Sequence, residues 1–350
     1  MRARVVVSSA CAAFLIGTVQ GQSGTHLNPM VDLLKSGKAV FGLAAPTAGR
    51  GGGGGRRGGG ANAGAAGAAG ATATPTPTPA PAPPPVRTPL DLANDTLAHP
   101  EADYFFLGSM ERAVDPALPA LTAYADALVE AGGITTTPVR RLRAPLSVKT
   151  PKISTDPALA IQNVSKQLNA GVTSISFVHV DTAQELEQGI AAMRFAAKGG
   201  TRPEAIGDAP KYWGLSEREY RERADVWPLN PNGELVAWAI VETLEGVANV
   251  REIAQVKGLG VLIPGAGTLR GVYMTTDAEG RRVRDTEAWE GAIQQILAAC
   301  KEFKVACGYP ADANDIEMRM QQGFSVLIIQ AFSEAGFRAV EIGRKAAGRD

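Results

Sequence analysis

Histidine and cysteine are scarce in this chain, three of each among 350 residues, aromatic side chains make up 6%, and 35 basic groups balance 35 acidic ones. So few cysteines exclude a small disulfide-framed module. Zero formal charge removes the basic excess of a protein that works by neutralising phosphates, so nucleic acid is not an expected partner. Beyond the amino terminus no uncharged apolar run approaches the ~20 residues that a membrane-spanning helix needs, and no membrane span is expected. With 45% hydrophobic residues, enough remains for one or two packed domains.

The first residues have the pattern of an address. Arg2 and Arg4 form a basic start, Val5 to Val19 is an apolar stretch, and Val19-Gln20-Gly21 precedes a cleavage point near Gln22. A signal peptide over 1–21 and an exported, periplasmic or secreted, product are expected; an uncleaved anchor is the alternative. Cleavage would remove two arginines and leave 33 − 35 = −2. It would also leave two cysteines, Cys300 and Cys307, in an oxidising compartment, either paired or as two buried thiols.

Glycine and proline are concentrated in one place. Residues 49–70 hold twelve glycines with Arg50, Arg56 and Arg57, and 75–85 alternate proline with threonine and alanine. Neither composition can bury a core, and the arginine-glycine tract lacks the interleaved aromatics that stack on bases. A disordered insertion over 49–88 is expected, interrupting a domain that begins at 22–48 and resumes at 89–350.

Outside the insertion, extended and amphipathic segments alternate over short links, the pattern of βα units around a parallel sheet. Eight strands are predicted: 40–45, 104–109, 136–142, 174–180, 236–243, 260–264, 305–309 and 325–330. Helices are predicted over 155–171, opened by Asp156-Pro157, and 182–198, where Ala183, Leu186, Ile190, Met193 and Ala197 recur at helical spacing. Eight such units imply a TIM (β/α)8 barrel, with a doubly wound sheet as the alternative. In a barrel, functional groups belong at the carboxyl ends of the strands.

That rule selects Glu111, Arg140, His179, Glu242 and Thr268. Glu242 ends the apolar run Val236–Val241, and an unpaired buried carboxylate is costly, so a cation, an arginine or a helix-capping role is expected for it. Arg140 and Arg141 point to opposite faces of a strand, and one inward guanidinium would suit a carboxylate or enolate oxygen. His179 is either a satisfied structural group or a base or ligand. Gly258–Leu269 matches neither the P-loop nor the dinucleotide fingerprint, but the turn Gly265-Ala266-Gly267-Thr268 could offer backbone N–H groups to an anionic carboxylate.

Several stretches resemble the HpcH/HpaI aldolase and citrate lyase family: Asn28–Gly42, Pro138-Val139-Arg140, Leu168–Gly171, Val178–Leu186, Lys198–Arg202 and Ile240–Gly258. The resemblance implies a metal-dependent barrel that makes or breaks carbon–carbon bonds of oxo-acids, and commonly a closed homo-oligomer joined through a last helix, here 333–347. It implies Glu242 as ligand of Mg2+ or Mn2+ and Arg140 as catalytic and substrate-binding cation; Gly265, Ala266, Gly267 and Thr268 stay the substrate-carboxylate turn read from the residues themselves. The family's strand-two Asp-x-Glu-His reads Gly108-Ser109-Met110-Glu111, without the histidine or its carboxylate partner, and further positions depart. Thr268 stands where a second metal carboxylate is usual, Glu111 where the acid/base histidine is usual, and Ile240 where a glutamine is frequent. Proton transfer would then fall to Glu111 or His179. The expected function is a divergent carbon–carbon lyase acting on a small oxo- or hydroxy-carboxylic acid; the alternative is a barrel that binds such acids without catalysis.

Overall fold

The structure, a computed structural model, describes residues 26–48 and 86–349. Residues 1–21, expected to be a signal peptide, and all but the last three residues of the expected insertion lie outside the described residues. Thr88, assigned to the insertion, caps the helix Pro89–Leu97: its side chain accepts from Asp91 N–H while the Asp91 carboxylate accepts from Thr88 N–H.

Eight parallel strands form a closed barrel: β1 (Val40–Ala44), β2 (Tyr104–Leu107), β3 (Leu146–Thr150), β4 (Ser174–Phe177), β5 (Leu235–Val241), β6 (Leu259–Pro264), β7 (Ala306–Tyr309) and β8 (Val326–Ile329). Each pairs in parallel with the next, and β8 pairs with β1 to close the ring. Parallel neighbours need a crossover, and amphipathic helices supply it. Two of them match expectation: Pro157–Asn169, capped by Asp156, and Ala183–Met193, capped by Thr182.

Seven of the eight expected strands are present, and the third is elsewhere. Residues 136–142 do not enter the barrel; Ile134–Thr135 and Arg141–Leu142 pair antiparallel as a short separate ribbon. Pro138 lies between them and lacks the N–H a ladder requires. The third barrel strand is Leu146–Thr150, whose register is set by β2 and β4.

Alternation along the strands sorts their side chains into two cores. Outward residues such as Val148, Ile175 and Val241 pack under the helices, while Tyr104, Val236, Trp238, Val261 and Val326 fill the barrel interior. Tyr104 and Trp238 meet there edge to face, with ring centroids 5.1 Å apart. The helix Pro29–Lys35 adds Met30 and Val31 to this inner cluster, ahead of the start of β1, and so plugs the end where strands begin. Cys300, near the end of the helix Thr286–Phe303, and Cys307 on β7 are joined in a disulfide with Cα atoms 5.7 Å apart. No helix among the described residues is long and apolar enough to cross a membrane.

Candidate functional site

Two glutamates bracket β5, and they differ. Glu234 precedes it and Glu242 follows it, and they are 1% and 3% exposed. Glu234 accepts from Leu27 N–H and Asn28 N–H at 2.9 Å each and from Arg223 at 3.0 Å, with His26 3.4 Å away. It is fully employed in fastening the plug. Among the described residues Glu242 accepts only from His179 N–H, at 3.4 Å. A buried carboxylate with so little protein compensation suits a cation.

Around Glu242 the structure gathers two further candidates. Ligand atoms of Glu111, His179 and Glu242 all lie within 4.8 Å of one another. Each comes from the carboxyl side of a different strand: Glu111 after β2, His179 after β4, Glu242 after β5. His179 is one of two non-glycine residues with positive φ among those described, at 49°. A left-handed β-strand exit costs roughly 1 kcal/mol or more, and such strain is characteristic of positions held for a purpose.

The neighbouring loops are tied together. Asp181 accepts from Thr243 Oγ1 and from Lys152, and its carbonyl accepts from Asn249 at 2.8 Å. Thr243 also caps the following short helix through Gly246 N–H. The residues adjoining His179 and Glu242 are therefore held to each other. Glu185, 5% exposed, accepts from Ser154 N–H and Asp181 N–H at 3.1 Å and locks the β3 exit to the β4 exit.

The expected strand-three arginine is not here. Arg140 lies in the segment that precedes β3, at the opposite end of the barrel, 42% exposed and 3.7 Å from Glu219. Neither it nor Arg141, which binds Asp32 of the plug helix, enters the barrel mouth. Both fall at the beginning of a strand, where the ribbon places them, so the role expected of Arg140 does not fit its position.

A lysine that the sequence reading passed over occupies the mouth. Lys149 on β3 points inward and its Nζ donates to Glu111 Oε2 at 2.7 Å. Gln167, buried on the helix Pro157–Asn169, donates to the Lys149 carbonyl at 2.8 Å and touches Met110 Sδ at 3.6 Å, fixing both Lys149 and the residue before Glu111. The signal for it is Leu146-Ser147-Val148-Lys149-Thr150, a period-two stretch with a charge in it.

Lys149, Glu242, Gly265, Ala266, Gly267 and Thr268 all line one cavity of about 110 Å³ at the barrel mouth, floored by inward side chains such as Ile240 and Ile263. These residues are not a separate turn: Gly265 caps, and Ala266–Thr268 begin, the helix Ala266–Val272. Gly265 is required there: a Cβ would meet the Glu242 side chain at 2.8 Å. Its N–H donates to Val241 O at 2.8 Å, which draws the start of this helix against the glutamate.

Two carboxylates and an imidazole form a donor set suited to Mg2+, Mn2+ or a similar divalent ion, so the residues fit the group that the family resemblance implies. Among the described residues Lys149 is the only cationic side chain lining this cavity. Together these features define a parallel (β/α)8 barrel with an anion-handling pocket and a candidate metal cluster at the carboxyl ends of its strands. Residues 98–329, more than half the chain, match the model of the HpcH/HpaI aldolase/citrate lyase family. The chain belongs to that family, which sets its function within lyase- and aldolase-type chemistry.

Solved structures share the fold. A family protein from Burkholderia cenocepacia J2315 is 18% identical, covering 92% of this chain and 98% of its own, with a TM-score of 0.59. An HpcH/HpaI aldolase from Desulfitobacterium hafniense DCB-2 is 15% identical, over 85% of this chain and 88% of its own, with a TM-score of 0.55. The citrate synthase SbnG is 16% identical, over 91% and 97%, at 0.52. No curated protein matches the sequence.

Proposed function

We propose that the protein is a carbon–carbon lyase acting on a small oxo- or hydroxy-carboxylic acid. The observation that carries this reading is Glu242, buried, scarcely compensated and grouped with Glu111 and His179. These three would hold a divalent ion, which when bound supplies Lewis-acid charge to the oxygen atoms of an oxo-acid. Lys149 presents an ammonium group to the negative charge that builds on those oxygens as the carbon–carbon bond breaks. Gly265 and the first turn of the helix Ala266–Val272 line the cavity, where their small residues let a carboxylate approach the backbone. Glu111, hydrogen-bonded to Lys149, links the metal cluster to the lysine at the mouth. The narrow cavity, about 110 Å³, limits the acid head that fits to a few carbon atoms.

The test is calorimetric titration with Mg2+, Mn2+ and Co2+, with and without oxalate as an enolate mimic. Binding that requires Glu242 and tightens with oxalate is expected. No binding at millimolar metal, or binding unchanged in Glu242→Ala, overturns the reading.

Two attributes accompany it. The protein acts outside the cytoplasm, supported by the pattern of residues 1–21 and tested by fractionation and amino-terminal sequencing of the product. It self-associates through its last helix, Glu334–Ala346, supported by family membership and tested by sedimentation of a variant truncated before Ser333.

A further inference from the structure

Lys149 is placed to act as a nucleophile as well as a charge. It points inward from β3 into the mouth cavity, 18% exposed, and its Nζ has one hydrogen-bond partner among the described residues, Glu111 Oε2 at 2.7 Å. An ammonium group carries three donors, so the bond to Glu111 aims the nitrogen without saturating it.

The neighbouring strand supplies a second, independent feature. Ser176 on β4 stands opposite Lys149 in the register of the parallel pair and lines the same cavity of about 110 Å³. It is 0% exposed, and its hydroxyl oxygen is buried without a hydrogen-bond partner among the described residues. An unpaired buried hydroxyl is costly, and this one is beside the lysine at a cavity, where an oxygen atom of a ligand would complete it. Phe106, Ile240, Ile263 and Ile328 make the adjoining wall apolar. A wall of this kind shields a carbon–nitrogen double bond from bulk water.

Of the acids proposed for this mouth, the 2-oxo acids carry a carbonyl carbon that a lysine amine attacks. We propose that Lys149 forms a covalent imine with a 2-oxo acid bound at the mouth, with Ser176 holding the oxygen that departs. The inference rests on the lyase reading for the kind of acid and adds a covalent electron sink to it.

The chemistry balances within the site. Nζ bonds to the 2-oxo carbon, the carbon–oxygen bond breaks, and the oxygen leaves as water with two of the three ammonium hydrogens, passed across the Ser176 hydroxyl. The imine nitrogen keeps the third hydrogen and the positive charge. That charge draws in the electron pair of the C3–C4 bond, giving an enamine and an aldehyde as the 4-hydroxyl proton goes to water. Protonation at C3 from water and hydrolysis of the imine return Lys149 and release the shorter 2-oxo acid.

Trapping with sodium cyanoborohydride tests this, on the full chain with pyruvate, once in EDTA and once in Mn2+. Intact-mass spectra should show a gain of pyruvic acid less one oxygen atom, mapped by peptide digestion to Lys149, and no gain with lactate, which lacks the carbonyl. The mapping is done on the parent protein, so it stands even where Lys149→Met is unstable; that variant should lose the adduct. Ser176→Ala is near-isosteric and should melt as the parent does, yet form the adduct about fivefold or more slowly, the effect of one lost hydrogen bond. No adduct at millimolar pyruvate, or an adduct on surface lysines with Lys149 unmodified, overturns the imine. Adduct formation as fast in Ser176→Ala as in the parent overturns the role given to Ser176. An adduct at Lys149 with no calorimetric response to metal or oxalate upholds the covalent route and removes the divalent ion from the lyase reading; metal and oxalate binding without the adduct does the reverse.

Discussion

Glu234 and Glu242 sit at the two ends of one strand, equally buried, and the barrel treats them in opposite ways. The first is saturated by two backbone amides, an arginine and a histidine, and anchors a helix that closes the barrel. The second has one long hydrogen bond and opens on a cavity. The end where strands begin is built for stability, and the end where they finish holds its charges ready for a ligand. Evolution of function at the expense of stability takes this form when a charge is left uncompensated.

The largest expected effect follows from breaking the saturated end. Glu234→Ala leaves His26 and the Leu27 and Asn28 amides without their partner in the interior, while Arg223 is solvated, and should cost about 2–4 kcal/mol in denaturant-induced unfolding. Glu242→Ala should leave unfolding free energy unchanged or slightly raised, while metal affinity falls at least about a hundredfold by calorimetry, about 2.7 kcal/mol. Equal destabilisation by the two variants would abolish the contrast.

The disulfide lies on the scaffold side of the comparison. Cys300→Ser with Cys307→Ser should lower unfolding free energy by about 2–3 kcal/mol, as expected for a short closed loop, without changing metal binding. Lys149→Met and Arg140→Ala sharpen the contrast from the functional side. Lys149→Met should weaken oxalate binding by about tenfold or more. Arg140→Ala removes an exposed pair and should change stability by less than about 0.5 kcal/mol and oxalate binding not at all.

The smallest effect is acid sensitivity away from the mouth. Burial raises the Asp225 carboxyl, but hydrogen bonds from Arg194, Asn230 and Val226 N–H outweigh it and hold the group below its ordinary 3.8. A carboxyl held low in the folded state and ordinary in the unfolded one adds stability above 3.8 and loses it as pH falls from there through the folded value. Asp225→Asn should flatten the fall in melting temperature over that window.

Much of this was legible in the order of residues. Apolar runs of strand length, capped helices between them and a count of eight were enough for the barrel, and Glu242 stood out as a charge ending an apolar run. The gathering of Glu111, His179 and Glu242 followed from the rule that barrel function lies at strand exits. Thr136–Leu142 carries β-forming residues and so has the look of the third strand, but Pro138 lacks the N–H that a ladder position needs and the segment folds into a separate ribbon. That single shift moved an arginine to the mouth that lies at the far end, and hid the lysine that is there.

Lys149 shows where sequence stops. In Leu146-Ser147-Val148-Lys149-Thr150 the alternation is plain, but a period of two is the same whichever face turns inward. A polar-inward strand is counterintuitive, and here Val148 packs under the helices while Lys149 turns into the barrel. Local order determined the elements, their caps and their alternation, because these depend on contacts within a few residues. Closure of the ring decided which face became the interior, which charges met across 60 or more residues, and which were left unpaired, because only the closed barrel brings β2, β3, β4 and β5 around one mouth.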